Sequence, residues 1–232
     1  MASRHPFAGQ WNHNSHYYPL LRSLVPLDAV IVVDIGCGDG TLARYLQGVP
    51  EPAGRTVLGV DTDLAVLQNV AGGPDRSGDV AQAEAPQLRH ELPGVGRALL
   101  VAASALSLPV ADGSVDAVVM AMMLHHVEPV AALAEARRVL RPGGALLVFG
   151  FGARDGLRGL PAELLDTLAH RWHRRGKRHW EPPTVKSEPS LTWAQTRSLL
   201  SGELPGSTYQ RLPMWRYLIS WTSQPPLDDV LT

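Results

Sequence analysis

Cysteine is nearly absent: Cys37 is the single one in 232 residues. An intrachain disulfide and a cysteine-built zinc cluster are therefore both excluded, which suits a reducing cytoplasm. Lysine occurs only at Lys177 and Lys186, so the basic side chains are overwhelmingly Arg, a bias of GC-rich coding rather than of function. Neither sign of charge is in excess, with 21 Lys and Arg against 22 Asp and Glu. No global field draws the chain to nucleic acid or an anionic membrane, and a small neutral or acidic partner is expected. No apolar run approaches the roughly 20 residues of a membrane-spanning helix, and the first residues have no apolar signal core. A cytoplasmic protein is the expectation. The nine histidines lack a ligand spacing supported by nearby carboxylates, so no metal site is argued.

What is present is organised around Val30 to Gly40, VIVVDIGCGDG. Its β-branched first half has the composition of a strand buried on both faces of a parallel sheet. Gly36, Gly38 and Gly40 then remove Cβ atoms where the backbone must turn tightly and a ligand must come close. Thr41, Leu42, Tyr45 and Leu46 follow at helical spacing, so the loop ends at a helix N-terminus. The dinucleotide fingerprint wants a third small residue where Thr41 stands, and the P-loop wants Gly-Lys-Ser/Thr, which does not follow. The length suits one α/β domain with a proper core.

G-x-G-x-G preceded by Asp34 resembles motif I of the class I S-adenosylmethionine-dependent methyltransferases, of the small-molecule, methyltransferase-11-like type. The resemblance covers about Val30 to Phe149 and continues through Asp61, the Leu108-Pro109 stretch, Val115 to His126, and the string Arg138 to Gly144. It implies a Rossmann-like, seven-stranded, mostly parallel sheet of order 3-2-1-4-5-7-6, with helices on both faces and a C-terminal antiparallel hairpin. It implies S-adenosylmethionine as cofactor, held by Asp34, Gly36, Gly38, Gly40, Asp61, Ser104, Ala105 and Met120. Asp61 takes the ribose role at the end of the second strand, about 20 residues past the loop, while Asp63 reads as the N-cap of the next helix. Ser104 stands where the family carries an Asp for the adenine amino group, so recognition there loses its charge and is shared with the Ala105 backbone.

After the fourth strand come Leu124, His125 and His126. A neutral imidazole near pH 7 suits removal of a proton from an acceptor, which makes His125 and His126 the candidate catalytic residues, His125 preferred. On an extended segment only one of them would face the substrate. The equally available reading is proximity and desolvation without a base. The polar, aromatic segment around Trp11 to Tyr18 is expected to form a lid, with His16 and Tyr17 as substrate contacts.

The organisation expected is an N-terminal helical lid over 1–28, a cofactor-binding core over 29–150, and a variable cover with C-terminal strands over 151–232. Residues 71–96 read as a surface insertion. Leu164, Leu165, Leu168 and Trp172 mark one face of a helix, followed by a basic stretch ending near His179. Arg216, on the last strand, either points at the acceptor or pairs with a carboxylate, and pairing is the preferred expectation. Function follows as methyl transfer to a small-molecule acceptor on O, N or C, in specialised metabolism. The alternatives are a non-catalytic S-adenosylmethionine-binding relative and a nicotinamide-dependent oxidoreductase with a degenerate fingerprint, the latter disfavoured by Thr41 and by the lack of a Tyr-x-x-x-Lys pair.

Overall fold

Strand β1 (Ile31–Ile35) pairs in parallel with β2 (Thr56–Asp61) on one side and with β4 (Val115–Ala121) on the other. The computed structural model describes residues 5–48, 55–71, 98–153, 160–181 and 187–224. The expected insertion, apart from its first residue, and the part of the cover over 182–186 fall outside them. Beyond β2 lies β3 (Ala98–Ala102); beyond β4 lie β5 (Leu140–Gly150), then β7 (Arg216–Thr222) and β6 (Thr208–Leu212). The order β3-β2-β1-β4-β5-β7-β6, with β7 antiparallel to both neighbours, is the expected one.

Alternation along each strand sorts the core into two layers. Val33, Ile35, Val118, Met120 and Val148 face one side with Leu133 and Ala136 of α4 (Pro129–Val139) and Leu200 of α6 (Trp193–Glu203). Val32, Val119, Leu147 and Phe149 face the other, with Leu21 of α1 (Tyr18–Leu24) and Leu42, Ala43 and Leu46 of α2 (Thr41–Gln47). Each fully buried aliphatic side chain contributes about 1.5–3 kcal/mol relative to exposure, so both layers are needed to order the sheet's carboxyl edge. Helix α3 (Leu64–Ala71) connects β2 outward.

Three local features shape the surroundings of the sheet. First, helix α4 runs directly into β5, and Arg141 to Gly144 form a bulge against β4, where pairing jumps from Val115 with Leu140 to Ala117 with Ala145. Second, Glu135 and Arg138 of α4 are tied to a neighbouring loop. Arg138 donates to both Glu135 carboxylate oxygens, to Asp112 and to the carbonyls of Leu108 and Val110, while Glu135 accepts from the Leu108 amide at 2.6 Å. The pair clamps the 108–112 loop to α4. Third, the apolar face of α5 (Leu160–Arg174) points outward. Leu164, Leu165, Leu168 and Trp172 are exposed, whereas Asp166 is buried against Arg211 of β6 at 2.8 Å. Arg211 of β6 thus pairs with the inward, polar side of α5.

Candidate functional site

The carboxyl ends of β1, β2, β3, β4 and β5 open into one cavity of about 700 Å³, within the size range of small-molecule sites. Its floor is the glycine loop. Gly36, Gly38 and Gly40 have φ of +72°, +52° and +67°, the left-handed region where a Cβ is strained. The amides of Gly36 and Cys37 both donate to the Val60 carbonyl, at 2.7 and 3.0 Å. Gly38 N–H donates to Asp61 Oδ2 at 2.8 Å, and Asp63 N–H to Asp61 Oδ1 at 2.9 Å. Asp63 in turn caps α3 by accepting from Val66 N–H at 3.1 Å, as expected. A carboxylate offers about four lone-pair sites, so Asp61 keeps acceptor capacity at the cavity wall for two hydroxyls.

Asp34 and Gly40 do not reach the cavity. Gly40 is the left-handed N-cap of α2, and a Cβ there would meet Leu100 Cδ1 at 2.8 Å, so its absence of side chain serves packing. Asp34 is 1% exposed beneath the loop, and among the described residues neither carboxylate oxygen has a partner of full hydrogen-bond geometry, the Ala43 amide giving only a weak one. Burial, then the charges of Asp61 and Asp39, push its pKa up to about 8. Met120 is also set back. Its side chain is fully buried in the first core layer, and the wall is made instead by Ala121, Met122 and Met123. Strand alternation turned Met120 inward, and Met122 breaks the strand with φ of +60°. Such a conformation in a non-glycine residue concentrates at functional sites.

Ser104 and Ala105 line the β3 end as expected; Ser104 Oγ accepts from Leu106 N–H at 3.1 Å. His125 and His126 both line the cavity, because Leu124–His126 is a 3₁₀ turn rather than an extended segment. Their rings lie 4.1 Å apart, and His125 meets the edge of Phe151 at 4.7 Å. His126 Nδ1 is 3.0 Å from Ser187 Oγ. Burial, then the charges of His126 and Arg216, lower the His125 pKa to about 4, so this imidazole is neutral at physiological pH.

The N-terminal arm crosses the mouth, but with other residues than those picked from the sequence. Asn12, His13, Asn14 and Tyr18 line the cavity; His16 and Tyr17 do not. The 3₁₀ turn Ser15–Tyr17 rotates successive side chains by about 120°, which carries Tyr17 into the second core layer. There its hydroxyl donates to the Pro213 carbonyl at 2.7 Å and its ring packs on Phe149. His16 stacks on His5 at 5.3 Å and approaches His173 at 4.4 Å, and burial, then His173, lowers its pKa to about 3. The arm is tied down by Asn12 Oδ1, which accepts from the amides of Asn14 and Ser15 at 2.8 Å. Trp11 completes the anchoring by exchanging backbone bonds with Arg178 and Trp180, both at 3.0 Å.

Arg216 enters from β7. It is 8% exposed and lines the cavity, and it stacks over Phe151 at 5.5 Å. Its Nε and Nη2 donate to Asn14 Oδ1 at 3.1 and 2.8 Å, and Nη1 to the carbonyls of Met214 and Trp215 at 3.2 Å. The carboxylate partner expected for it is not found among the described residues. Phe151 is the wall residue that sequence reading passed over. Its signal was position, since it lies just past the carboxyl end of β5, where ligands bind in such sheets.

The cavity has two parts of different make-up. Asp39, Asp61 and Asp63 surround the glycine loop, an end suited to hydroxyls, an ammonium group and a sulfonium. Arg216, Phe151, the histidines and the carboxylates of Glu181 and Glu188 line the rest. These donor sets fit S-adenosylmethionine at the acidic end: close backbone approach at Gly36 and Gly38, hydroxyl acceptors at Asp61, and a small polar cleft at Ser104 and Ala105. Among the described residues no cluster of side chains could hold a metal ion, and no helix is long and apolar enough to cross a membrane.

Residues 33–148 match the family model for the methyltransferase domain. An uncharacterized methyltransferase of Mycobacterium tuberculosis H37Rv is 33% identical over 216 residues, spanning 91% of this chain and 96% of that one. A ubiquinone/menaquinone biosynthesis C-methyltransferase of Syntrophotalea carbinolica is 42% identical over 132 residues, 56% of this chain and 48% of that one. Among solved structures, a methyltransferase of Methanosarcina mazei described as S-adenosylmethionine-dependent superposes with a TM-score of 0.57 at 21% identity, covering 90% of this chain and 99% of that one.

Proposed function

Because this chain belongs to the class I S-adenosylmethionine-dependent methyltransferases, we propose that its acceptor is a small molecule, methylated on O, N or C inside the cavity described above. The observation that carries this reading is the arm: Asn12, His13 and Asn14 line the cavity on the Arg216 side and Tyr18 lines it nearer Asp39, which narrows the space to one suited to a small acceptor rather than to a folded macromolecule. When bound, S-adenosylmethionine supplies a sulfonium methyl group that passes to the acceptor, the C–S electron pair remaining on sulfur.

The chain's own residues do the rest. Asp61 holds ribose hydroxyls with its spare lone pairs, and Ser104 and Ala105 bound the adenine cleft. Met122, Met123 and Phe151 exclude water, which strengthens the attraction between a nucleophile and the sulfonium. His125 is unprotonated and can receive an acceptor proton. Its lowered basicity limits it to acceptors that ionise easily, so proximity and desolvation carry most of the acceleration. Transfer of label from methyl-tritiated S-adenosylmethionine into a cell extract, followed by dialysis, tests the reading. Label in a dialysable product that separates chromatographically from S-adenosylmethionine and forms only when the protein is added supports it, and label confined to protein or RNA overturns it.

A further inference from the structure

Among the described residues, none of the hydrogen bonds that Arg216 makes goes to a charged group, although Glu181 and Glu188 line the same cavity. The five N–H donors of Arg216 make four bonds, all to neutral acceptors: two to Asn14 and one each to the Met214 and Trp215 carbonyls. The second Nη2 donor makes no bond among the described residues. Asp166, a carboxylate whose charge reaches it, is bound to Arg211 at 2.8 Å, and Glu181 lies 3.4 Å from His179. A buried charge without a directly bonded counter-charge is costly.

The backbone also holds the guanidinium in place at some cost. The three residues between β6 and β7 are Pro213, Met214 and Trp215, of which Met214 and Trp215 have φ of +57° and +59°. Left-handed conformations of large side chains are strained. Here they direct two successive carbonyls at Nη1. Burial lowers the Arg216 pKa only to about 10, so the charge is kept at neutral pH.

We propose that the acceptor carries a carboxylate and that Arg216 is the residue that binds it. The inference rests on the small-molecule reading above and deepens it. The carboxylate supplies a directly bonded counter-charge, takes the remaining Nη2 donor, and sets the attached group beside the packed rings of Phe151 and His125. Carboxylate recognition by a positioned guanidinium is strong and directional.

The test is calorimetric titration of benzoate, and of benzamide as its neutral isostere, into the full-length protein saturated with S-adenosylhomocysteine. Benzoate should bind at least tenfold more tightly than benzamide. The gap should close in Arg216→Gln and be partly kept in Arg216→Lys, with S-adenosylhomocysteine binding retained in both as the sign of a folded cofactor site. Equal affinity for the two probes, no binding of benzoate, or a gap that survives in Arg216→Gln overturns the proposal; the wild-type comparison stands even where a variant does not fold. Methylation of neutral small molecules with no preference for acids would overturn the carboxylate assignment and leave the small-molecule reading intact. Labelling of macromolecules alone would overturn both.

Discussion

The amide of Gly38 donates to Oδ2 of Asp61 at 2.8 Å across 23 residues of sequence, tying the middle of the glycine loop to the end of the neighbouring strand. The bond sets the carboxylate's orientation before any ligand arrives, and Asp63 N–H fixes the other oxygen. A carboxylate held this way loses little freedom on binding, so its remaining lone pairs are available at low entropic cost.

Asp61→Ala should therefore weaken S-adenosylhomocysteine binding by about 1–3 kcal/mol, since ribose hydroxyls are left unpaired and the loop loses its anchor. Calorimetry reads the affinity. Unchanged affinity would remove Asp61 from the ribose role.

Gly36→Ala tests the loop's geometry separately from its chemistry. At φ of +72° the new Cβ would lie 2.9 Å from Met123 Cγ and closer still to Met123 Cβ, an atom fixed near its backbone. Strain and displacement together should cost on the order of 1–3 kcal/mol, read as a fall in the denaturation midpoint. An unaltered midpoint would show that the loop can take another path.

The glycine loop and the acid that ends the next strand were legible as local patterns, a β-branched run with glycines at fixed offsets, and the sheet order came only with the family resemblance that those patterns carry. The residues facing the acceptor were not. His16 and Tyr17 looked equivalent to Asn14 and Tyr18 until the 3₁₀ turn set which side each faces. Met120 missed the wall by one residue of strand alternation. Arg216 lost its expected carboxylate because Asp166, on an element 50 residues earlier, was taken by Arg211 instead. Side-chain competition of this kind is tertiary, with no periodicity in sequence to announce it. The outward Leu164 and Trp172 make the same point, since helical spacing locates an apolar face but not the neighbour that covers it.

Arg138→Ala should destabilise the protein by about 2 kcal/mol, as it removes charge-assisted bonds to Glu135 and Asp112 and frees the Leu108 and Val110 carbonyls. Its guanidinium is 30% exposed, which keeps the figure at the modest end for such a network. Urea denaturation measures it. Because the 108–112 loop follows the Ser104 and Ala105 cleft, cofactor affinity should fall as well, by less than in Asp61→Ala.

His125 can be examined without knowing the acceptor. Its ring protons, assigned in NMR spectra by comparison with His125→Ala, should show no titration between pH 5.5 and 8, because burial holds the pKa to about 4. Titration near the ordinary histidine value would mean that the ring is solvated and available as a stronger base than argued above.

Asp34 gives a prediction of opposite sign to that of an ordinary paired carboxylate. Its folded pKa is raised to about 8 by burial and by Asp61 and Asp39, whereas in the unfolded chain it is an ordinary aspartate near 3.9. Between those values the native state binds a proton that the unfolded state does not, so the stability of the ligand-free protein falls as pH rises through this window. Below it the proton is bound in both states and the contribution is fully present; above pH 8 it is lost. Asp34→Asn cannot ionise and should flatten this slope. Chemical denaturation at pH 6 and pH 9 should then show a smaller loss in the variant than in the wild type, by at least about 1 kcal/mol, the equivalent of a single pKa unit. Equal losses in the two proteins would mean that the Asp34 carboxylate is ionised and compensated in the native state, and that the glycine loop rests on a charge rather than on a proton.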